Sequence, residues 1–192
     1  AAIAKAPRAK AEYEACFVGR FHPQKGLPAL LDCWRQIQAV FPGARLAIIG
    51  WEAPSVIKKL TMRISDLGLD GVVDLLGFLD GEKKWAVMKA SKLLLFPSIH
   101  ESFGITALEA LASGTPVVAY DLPIFRKTFG SALVTVPIND VEAFSEAVVD
   151  LLGSPRACQR LAQGGKVVAK RYDWKIVADR AWRDLSTRFP AR

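Results

Sequence analysis

Short apolar runs alternate with stretches of helical periodicity along most of the sequence, and this alternation constrains the fold more than any other feature. Six runs have the length and the Val, Ile and Leu content of buried strands: ACFVG (15–19), RLAIIG (45–50), VVDLLG (72–77), KLLLFP (92–97), PVVAY (116–120) and ALVTVP (132–137). Strands that are apolar throughout are typical of a parallel sheet covered on both faces. Because parallel crossovers are right-handed, the pattern predicts a doubly wound, Rossmann-like α/β fold of about six strands.

Helical signals fill the segments between the runs and dominate the end of the chain. Leu30, Trp34, Ile37 and Phe41 fall on one stripe of a helix that Pro42 and the following glycine end. Further helices are predicted at about 54–67, 81–90 and 105–113, and three more follow the last strand at about 140–152, 155–170 and 174–189.

The composition excludes several classes of protein. With 51% hydrophobic and 23% charged residues among 192, the chain can form the core of one ordinary domain. Its three cysteines include no C-x-x-C pair and its two histidines lack metal-ligand spacing, so neither a disulfide framework nor a metal site is predicted. A reducing, cytoplasmic location follows from this interpretation, and residues 1–12 are interpreted as a linker or an edge of the chain.

The net charge of +7 is concentrated near the C-terminus. Residues 156–192 contain ten basic and three acidic side chains, whereas the preceding 155 residues are neutral overall. Nucleic-acid-binding domains usually carry a basic face on the domain itself, so no nucleic-acid partner is predicted. A basic tail leaves open a peripheral contact with an anionic membrane or with another domain.

Two loops that follow predicted strands have the chemistry of an anion site. GRFHPQKG (19–26) carries Arg20 and Lys25 between two glycines, without the spacing of a dinucleotide or P-loop fingerprint. The second loop leads into a helix at Phe103, Gly104, Ile105 and Thr106, whose first amides can bind phosphate oxygens. In a doubly wound sheet both loops lie at the ligand-binding edge, although ordinary surface cations would also explain Arg20 and Lys25.

Two glutamates flank this predicted phosphate site. Glu101 lies in the loop and Glu109 lies about one turn into the following helix, among alanines and leucines. A favourable interaction with the helix dipole, worth about 0.3–1 kcal/mol, is the simpler explanation of Glu109. With no polar neighbour nearby in the sequence, however, its carboxylate is well suited to accept hydrogen bonds from sugar hydroxyls. Carboxylates on both sides of a diphosphate site suit a nucleotide sugar.

Five segments in the same order resemble the C-terminal half of GT-B-type retaining glycosyltransferases of family four (group 1). They are VGRFHPQKG, LAIIGWEAPS, VVDLLGFLD, LLLFPSIHESFGITALEALASGTPVVAYD and YDWKIVADRAW. The resemblance covers about residues 13–190, and its sharpest element is the pair of glutamates separated by seven residues. Three departures, in GWEAP, at Ser102 and in DLPIFRKTFG, are expected to tune donor preference rather than abolish donor binding.

The resemblance implies a role for each matching residue. Arg20 and Lys25 would hold the donor diphosphate together with Gly19 and the amides of Ser102, Phe103, Gly104, Ile105 and Thr106. Glu101 would contact the donor sugar, Glu109 the ribose, and Gly77 and Phe78 would line the base. No metal ion or other cofactor is expected, because the cations would offset the charge of the leaving group.

The resemblance also implies an activity and a domain organisation. A hexose would pass from a UDP- or GDP-sugar to an acceptor glycan or lipid-linked sugar with retention of configuration. Residues 13–170 would form the donor-binding domain and 171–192 a crossover helix, with the acceptor bound by an N-terminal domain that this chain lacks. The chain alone is therefore expected to be nearly inactive.

Two alternatives belong to other classes. A non-catalytic nucleotide- or NAD-binding Rossmann module would share the fold, although the glycine fingerprint after the first strand is missing. A basic interaction domain would instead show steeply salt-dependent binding that depends on residues 156–192.

Overall fold

The computed structural model describes residues 2–7 and 13–189. The described strands are β1 (Tyr13–Val18), β2 (Leu46–Ile49), β3 (Val73–Gly77), β4 (Ser91–Phe96), β5 (Val117–Tyr120) and β6 (Val134–Val136). The described α-helices are α1 (Ala2–Lys5), α2 (Leu27–Val40), α3 (Pro54–Asp66), α4 (Gly81–Ala90), α5 (Ile105–Ser113), α6 (Pro123–Thr128), α7 (Val141–Leu152), α8 (Pro155–Lys170) and α9 (Trp174–Arg188).

All six strands belong to one parallel sheet with the order β3-β2-β1-β4-β5-β6. The predicted doubly wound, Rossmann-like sheet is thereby confirmed. The chain winds outward from β1 to β3, returns to the centre at β4, and then winds outward in the other direction. The strand order therefore reverses between β1 and β4, which is the point where ligands bind in folds of this class.

The reversal divides the helices between the two faces of the sheet. One apolar cluster contains Leu30 and Trp34 of α2, Ile64 of α3, and Phe144 and Val148 of α7. The other cluster contains residues of α4, α5, α6 and α8, namely Met88, Ala107, Ala110, Leu111, Phe125 and Ala169. Because successive strand residues point to opposite faces, each central strand contributes side chains to both clusters.

Two short helices differ from the sequence-based expectation. The segment DLPIFRKTFG contains α6, which Pro123 opens and whose Phe125 is fully buried against the second cluster. Helix α1 lies within the stretch expected to be a linker, and the Ala6 carbonyl after it accepts a hydrogen bond from Lys89 Nζ at 2.5 Å. Six-residue and four-residue helices are too short to show a helical period, so only their tertiary contacts identify them. Residues 8–12 of the expected linker lie outside the described ranges.

Helix α9 differs from helices α2 to α8 because none of its residues is buried. Its large apolar side chains are exposed, with Trp174 at 85% and Trp182 at 71%. None of the helices in the described ranges combines the length and the apolar character needed to cross a bilayer.

Trp34 of α2 and Trp182 of α9 give a matched test of this packing. Trp34 is fully buried, so Trp34→Ala should lower the free energy of unfolding by about 3–5 kcal/mol. The same substitution at the exposed Trp182 should change it by less than about 0.5 kcal/mol. Urea unfolding followed by circular dichroism measures both, and equal losses would contradict the assignment of the core.

Candidate functional site

The carboxyl ends of β1 and β4 bring together the two loops that the sequence analysis selected. The loop after β1 covers residues 19–26, and the loop after β4 covers residues 97–104. They are joined by a hydrogen bond from the Ile99 amide to the Gln24 carbonyl at 2.9 Å. The two loops therefore form one continuous rim at the point of strand-order reversal.

Gly26 allows this close approach. It has a left-handed backbone with φ of 71°, and a Cβ atom added there would lie 2.1 Å from the Pro97 carbonyl oxygen. No side chain fits at that distance, and the φ value itself disfavours residues with a Cβ atom. The second glycine of GRFHPQKG is thus required by the contact between the loops.

Lys25 and Glu101, predicted on opposite loops, form an ion pair between Nζ and Oε1. Their side chains are 23% and 11% exposed, so the pair is partly shielded from solvent. Arg20 lies on the same rim with an exposed side chain, and no residue of 2–7 or 13–189 forms an ion pair with it. The rim therefore offers one unpaired cation beside a neutralised pair.

The start of α5 lies at the same edge of the sheet. Gly104 precedes the helix with φ of 90°, and a Cβ atom there would lie 2.8 Å from Cε1 of the buried Phe125. No side chain caps this helix. Its first amides consequently lack helical acceptors and are available to an anion near Ser102 and Ile105, both of which are exposed.

An aromatic cluster lies beneath this turn. The Phe103 ring contacts Phe129 and Tyr172 edge-on, with centroids 5.9 and 5.3 Å apart. The Tyr172 hydroxyl donates to the Thr128 carbonyl oxygen at 3.0 Å. Edge-to-face aromatic pairs are worth about 0.5–1.5 kcal/mol each beyond their burial, so the cluster fixes the loop that carries Glu101.

Glu109, which has no polar neighbour nearby in the sequence, is paired with side chains of another helix. Lys84 Nζ of α4 donates to Oε1 and Oε2 at 2.7 and 2.8 Å, and Trp85 Nε1 donates to Oε1 at 3.3 Å. The Lys84 and Glu109 side chains are 19% and 17% exposed. These donors come from a different helix, which explains how a carboxylate can lie in an otherwise apolar and small-residued stretch.

The predicted base-lining residues lie further along the same edge. The Gly50 amide donates to the Gly77 carbonyl at 2.9 Å, and the Gly19 amide donates to the Ile49 carbonyl at 3.0 Å. Phe78, directly after β3, exposes 71% of its surface. Gly19, Gly50 and Gly77 thus form a row of small residues that leads from the reversal point to an exposed aromatic ring.

The cysteines are separate from this rim. Burial raises the pKa of the Cys16 thiol to about 12 and that of Cys33 to about 11, so both stay protonated at neutral pH. Burial also raises the pKa of the partly exposed Cys158. Thiolate chemistry therefore has no part in this site.

The family model described as "Glycosyl transferases group 1" matches residues 1–168. The chain belongs to this family. Among curated relatives, it is 35% identical over 175 residues to a phosphatidyl-myo-inositol mannosyltransferase of Mycobacterium leprae, an alignment that covers 89% of this chain and 46% of the relative. It is 29% identical over 179 residues to a D-inositol 3-phosphate glycosyltransferase of Segniliparus rotundus, covering 88% and 38%. The chain thus spans about half the length, or less, of these relatives.

Solved structures show the same fold. Sucrose-phosphate synthase from Thermosynechococcus elongatus superimposes with a TM-score of 0.85 at 25% identity, covering 96% of this chain and 47% of the other. Anabaena Alr3699/HepE in complex with UDP and glucose superimposes with a TM-score of 0.82 at 21% identity, covering 92% and 49%. The architecture of this group 1 glycosyltransferase chain matches the C-terminal domains of GT-B enzymes.

Three side chains that support the site were not predicted from the sequence. Lys84 and Trp85 lie in a predicted helix without any motif, and Tyr172 lies in a turn between two C-terminal helices. One signal could have found Lys84: a carboxylate in an apolar helix requires a partner, and the reversal of the sheet places α4 beside α5. Tyr172 gave no such signal, because its contacts depend on how α8 packs.

Gly26→Ala tests the contact between the loops, and Gly43→Ala is its matched control. Both glycines have left-handed φ values, 71° and 80°, but nothing lies within 4 Å of the Cβ position at Gly43. The control should lose about 1–2 kcal/mol of stability from backbone strain alone. Gly26→Ala should lose about 1–3 kcal/mol more, because the Pro97 carbonyl must move away. Chemical denaturation compares the two variants, and equal losses would show that the loops do not require the contact.

Proposed function

We propose that this chain is the donor-binding domain of a hexosyltransferase and that it binds a UDP- or GDP-sugar at the rim between β1 and β4. The observation that carries the proposal is the convergence of Arg20, the Lys25–Glu101 pair and the uncapped start of α5 where the strand order reverses. Cations and free amides suit a diphosphate, whereas carboxylates suit hydroxyl groups. A nucleotide sugar carries both kinds of group, one after the other along the molecule.

The diphosphate would lie between the loops. Arg20 and Lys25 would contact its oxygens from one side, and the backbone from Ser102 to Thr106, together with Gly19, would contact them from the other. These fixed positive groups would stabilise the charge that develops on the diphosphate as the sugar leaves. The reaction would proceed with retention of configuration and without a metal ion or other cofactor, as the family resemblance implies.

The hydroxyl-bearing ends of the donor would extend in opposite directions from the diphosphate. Glu101, on the loop, would accept hydrogen bonds from the transferred hexose. Glu109, one turn into α5, would accept from the ribose, and the base would extend along the glycine row toward Phe78. The row offers open space for a flat ring at its outer end, because nothing lies within 4 Å of the position that a Cβ atom would take at Gly77.

The Lys25–Glu101 pair has a consequence for donor binding. Lysine has three N–H donors, so Lys25 can contact a phosphate oxygen while it remains bonded to Glu101. Partial burial keeps the pair in a fixed geometry, which lowers the entropic cost of arranging these groups around a ligand. A ligand without a diphosphate would leave the positive charge of the rim only partly neutralised.

The names of relatives and neighbours agree with this proposal. The Mycobacterium leprae relative is a mannosyltransferase, so it transfers a hexose, and the structure of the Anabaena neighbour contains UDP and glucose. An acceptor glycan or lipid-linked sugar would be bound by a second, N-terminal domain. Residues 13–170 would then be the donor domain, and residues 171–192 would cross to that second domain.

Helix α9 supports the crossover. Its exposed apolar residues include Trp174, Val177, Trp182 and Leu185, which recur at roughly helical spacing, and the exposed Phe189 follows the helix directly. A cytoplasmic enzyme with its basic tail near an anionic membrane would be consistent with a lipid-linked acceptor.

Calorimetric titration of the chain with UDP, GDP and NAD tests the proposal. UDP or GDP should bind in preference to NAD, and Arg20→Ala should weaken that binding about tenfold, or about 1.4 kcal/mol, through loss of a phosphate contact. The corresponding nucleoside, which has no phosphate, should bind equally to wild type and variant. The exposed Arg35 of α2 provides the control, because Arg35→Ala removes the same charge away from the rim.

Preferential binding of NAD would favour the non-catalytic module instead. An unchanged UDP or GDP affinity in Arg20→Ala would show that the diphosphate does not bind at this rim. Binding that weakens equally in both arginine variants would indicate a general charge effect, as expected for a basic interaction domain.

A further inference from the structure

We propose that Tyr172 is a positioning residue that links the start of helix α9 to the loop carrying Glu101, so that ligand binding at the rim and restraint of α9 favour each other. The inference rests on the proposed nucleotide-sugar function. It goes beyond that function because it concerns a residue and a helix to which no contact with the donor is assigned.

Five aromatic rings contact one another in series between the α8–α9 turn and the end of β4. Tyr172 meets Phe103 edge-on with centroids 5.3 Å apart, and Phe103 meets Phe129 at 5.9 Å. Phe129 lies 5.9 Å from Phe125, which in turn lies 5.6 Å from Phe96. The last three rings are buried. Closely packed interior side chains transmit strain, so a displacement at one end of the series affects its neighbours.

The inner end of the series lies beneath the groups of the rim. Lys25 Nζ, which pairs with Glu101, lies 5.9 Å from the centroid of the Phe96 ring. At the start of α5, a Cβ atom at Gly104 would lie 2.8 Å from Cε1 of Phe125. The rings therefore support both the Lys25–Glu101 pair and the amides that are proposed to bind phosphate.

The hydroxyl of Tyr172 fixes the outer end of the series. It donates at 3.0 Å to the carbonyl oxygen of Thr128, the last residue of α6, and carbonyls at a helix end lack partners within their own helix. The Tyr172 amide donates to the Ala169 carbonyl of α8 at 3.1 Å. The turn between α8 and α9 is thus tied to α6 and to the loop after β4 through this residue.

Helix α9 begins almost directly after Tyr172. Asp173 caps the helix, since its Oδ1 accepts from the Lys175 amide at 3.0 Å and its carbonyl accepts from the Val177 amide at 2.9 Å. One capping residue therefore separates Tyr172 from the first turn, which leaves little freedom between them. Because no residue of α9 is buried, the turn determines the position of this helix more than packing does.

The consequence is a reciprocal linkage between the rim and α9. A diphosphate bound at the start of α5 would restrain the loop and, through the rings, Tyr172 and the first turn of α9. Restraint of α9 must then tighten diphosphate binding by the same factor, as thermodynamic linkage requires. The energy of one edge-to-face ring contact corresponds to about a threefold to tenfold change in an equilibrium constant.

Hydrogen exchange in the first turn of α9 tests this linkage. The amides of Lys175 and Val177 are followed by NMR with and without UDP or GDP, whichever the wild-type chain binds more tightly. In the wild type, saturation with the nucleotide should slow their exchange about threefold or more, although these amides belong to no part of the rim.

Three variants separate a positioning role from a contribution to stability alone. Tyr172→Leu removes the ring, so it should abolish the slowing in α9 and weaken nucleotide binding about threefold to tenfold. Tyr172→Phe keeps the ring contacts and should restore most of both effects. Phe144→Leu is the matched control, because it removes an edge-to-face contact with Tyr120, also at 5.3 Å, from the other apolar cluster. It should lower stability but leave the slowing and the affinity unchanged.

Asp173→Gly replaces Tyr172→Leu if that protein does not fold. Asp173 is exposed, so its substitution leaves the ring contacts in place and loosens only the connection to α9. The slowing in α9 should then disappear while the nucleotide affinity stays at its wild-type value.

Each contrary result has a distinct meaning. Nucleotide binding without slowing in wild-type α9 would show that the helix is not linked to the rim. Slowing that persists in Tyr172→Leu, or in Asp173→Gly where that variant replaces it, would show that Tyr172 does not carry the linkage. Equal losses of affinity in Tyr172→Leu and Phe144→Leu would reduce Tyr172 to a stabilising side chain. These results overturn the inference and leave the proposed function intact, whereas failure of the wild type to bind either nucleotide would overturn both.

Discussion

The contact between Gly26 and the Pro97 carbonyl is the constraint on which the candidate site depends. The reversal of strand order brings β1 and β4 side by side, but only a residue without a Cβ atom lets the loops after them touch. With the loops in contact, Lys25 reaches Glu101. The site is therefore built by backbone geometry first and by charged side chains second.

The two glutamates of the site share one arrangement. Each is held by a lysine from a different segment, Glu101 by Lys25 and Glu109 by Lys84, and each pair is only partly exposed. Holding a carboxylate in this way limits the orientations it can adopt.

The sequence was sufficient to predict most of the fold but only part of the site. The strands and long helices were predictable because apolar runs and helical stripes are local patterns, and α6 was missed because six residues show no period. The loops around Arg20, Lys25 and Glu101 follow strands. The rule that ligands bind at the carboxyl ends of parallel strands was therefore enough to place these loops at one edge of the sheet. The partner of Glu109 was missed because α4 and α5 are neighbours only after the sheet has formed.

Mapping of amide chemical shifts during titration with UDP and GDP tests the central claim most directly. In ¹H–¹⁵N correlation spectra of the chain, the largest shifts should fall in the loops after β1 and β4 and in the first turns of α5, with Gly19, Lys25 and Gly104 among them. Shifts centred instead on the opposite edge of the sheet, around Glu14, Gly43 and Lys92, would contradict the account, because that edge carries the amino ends of the strands.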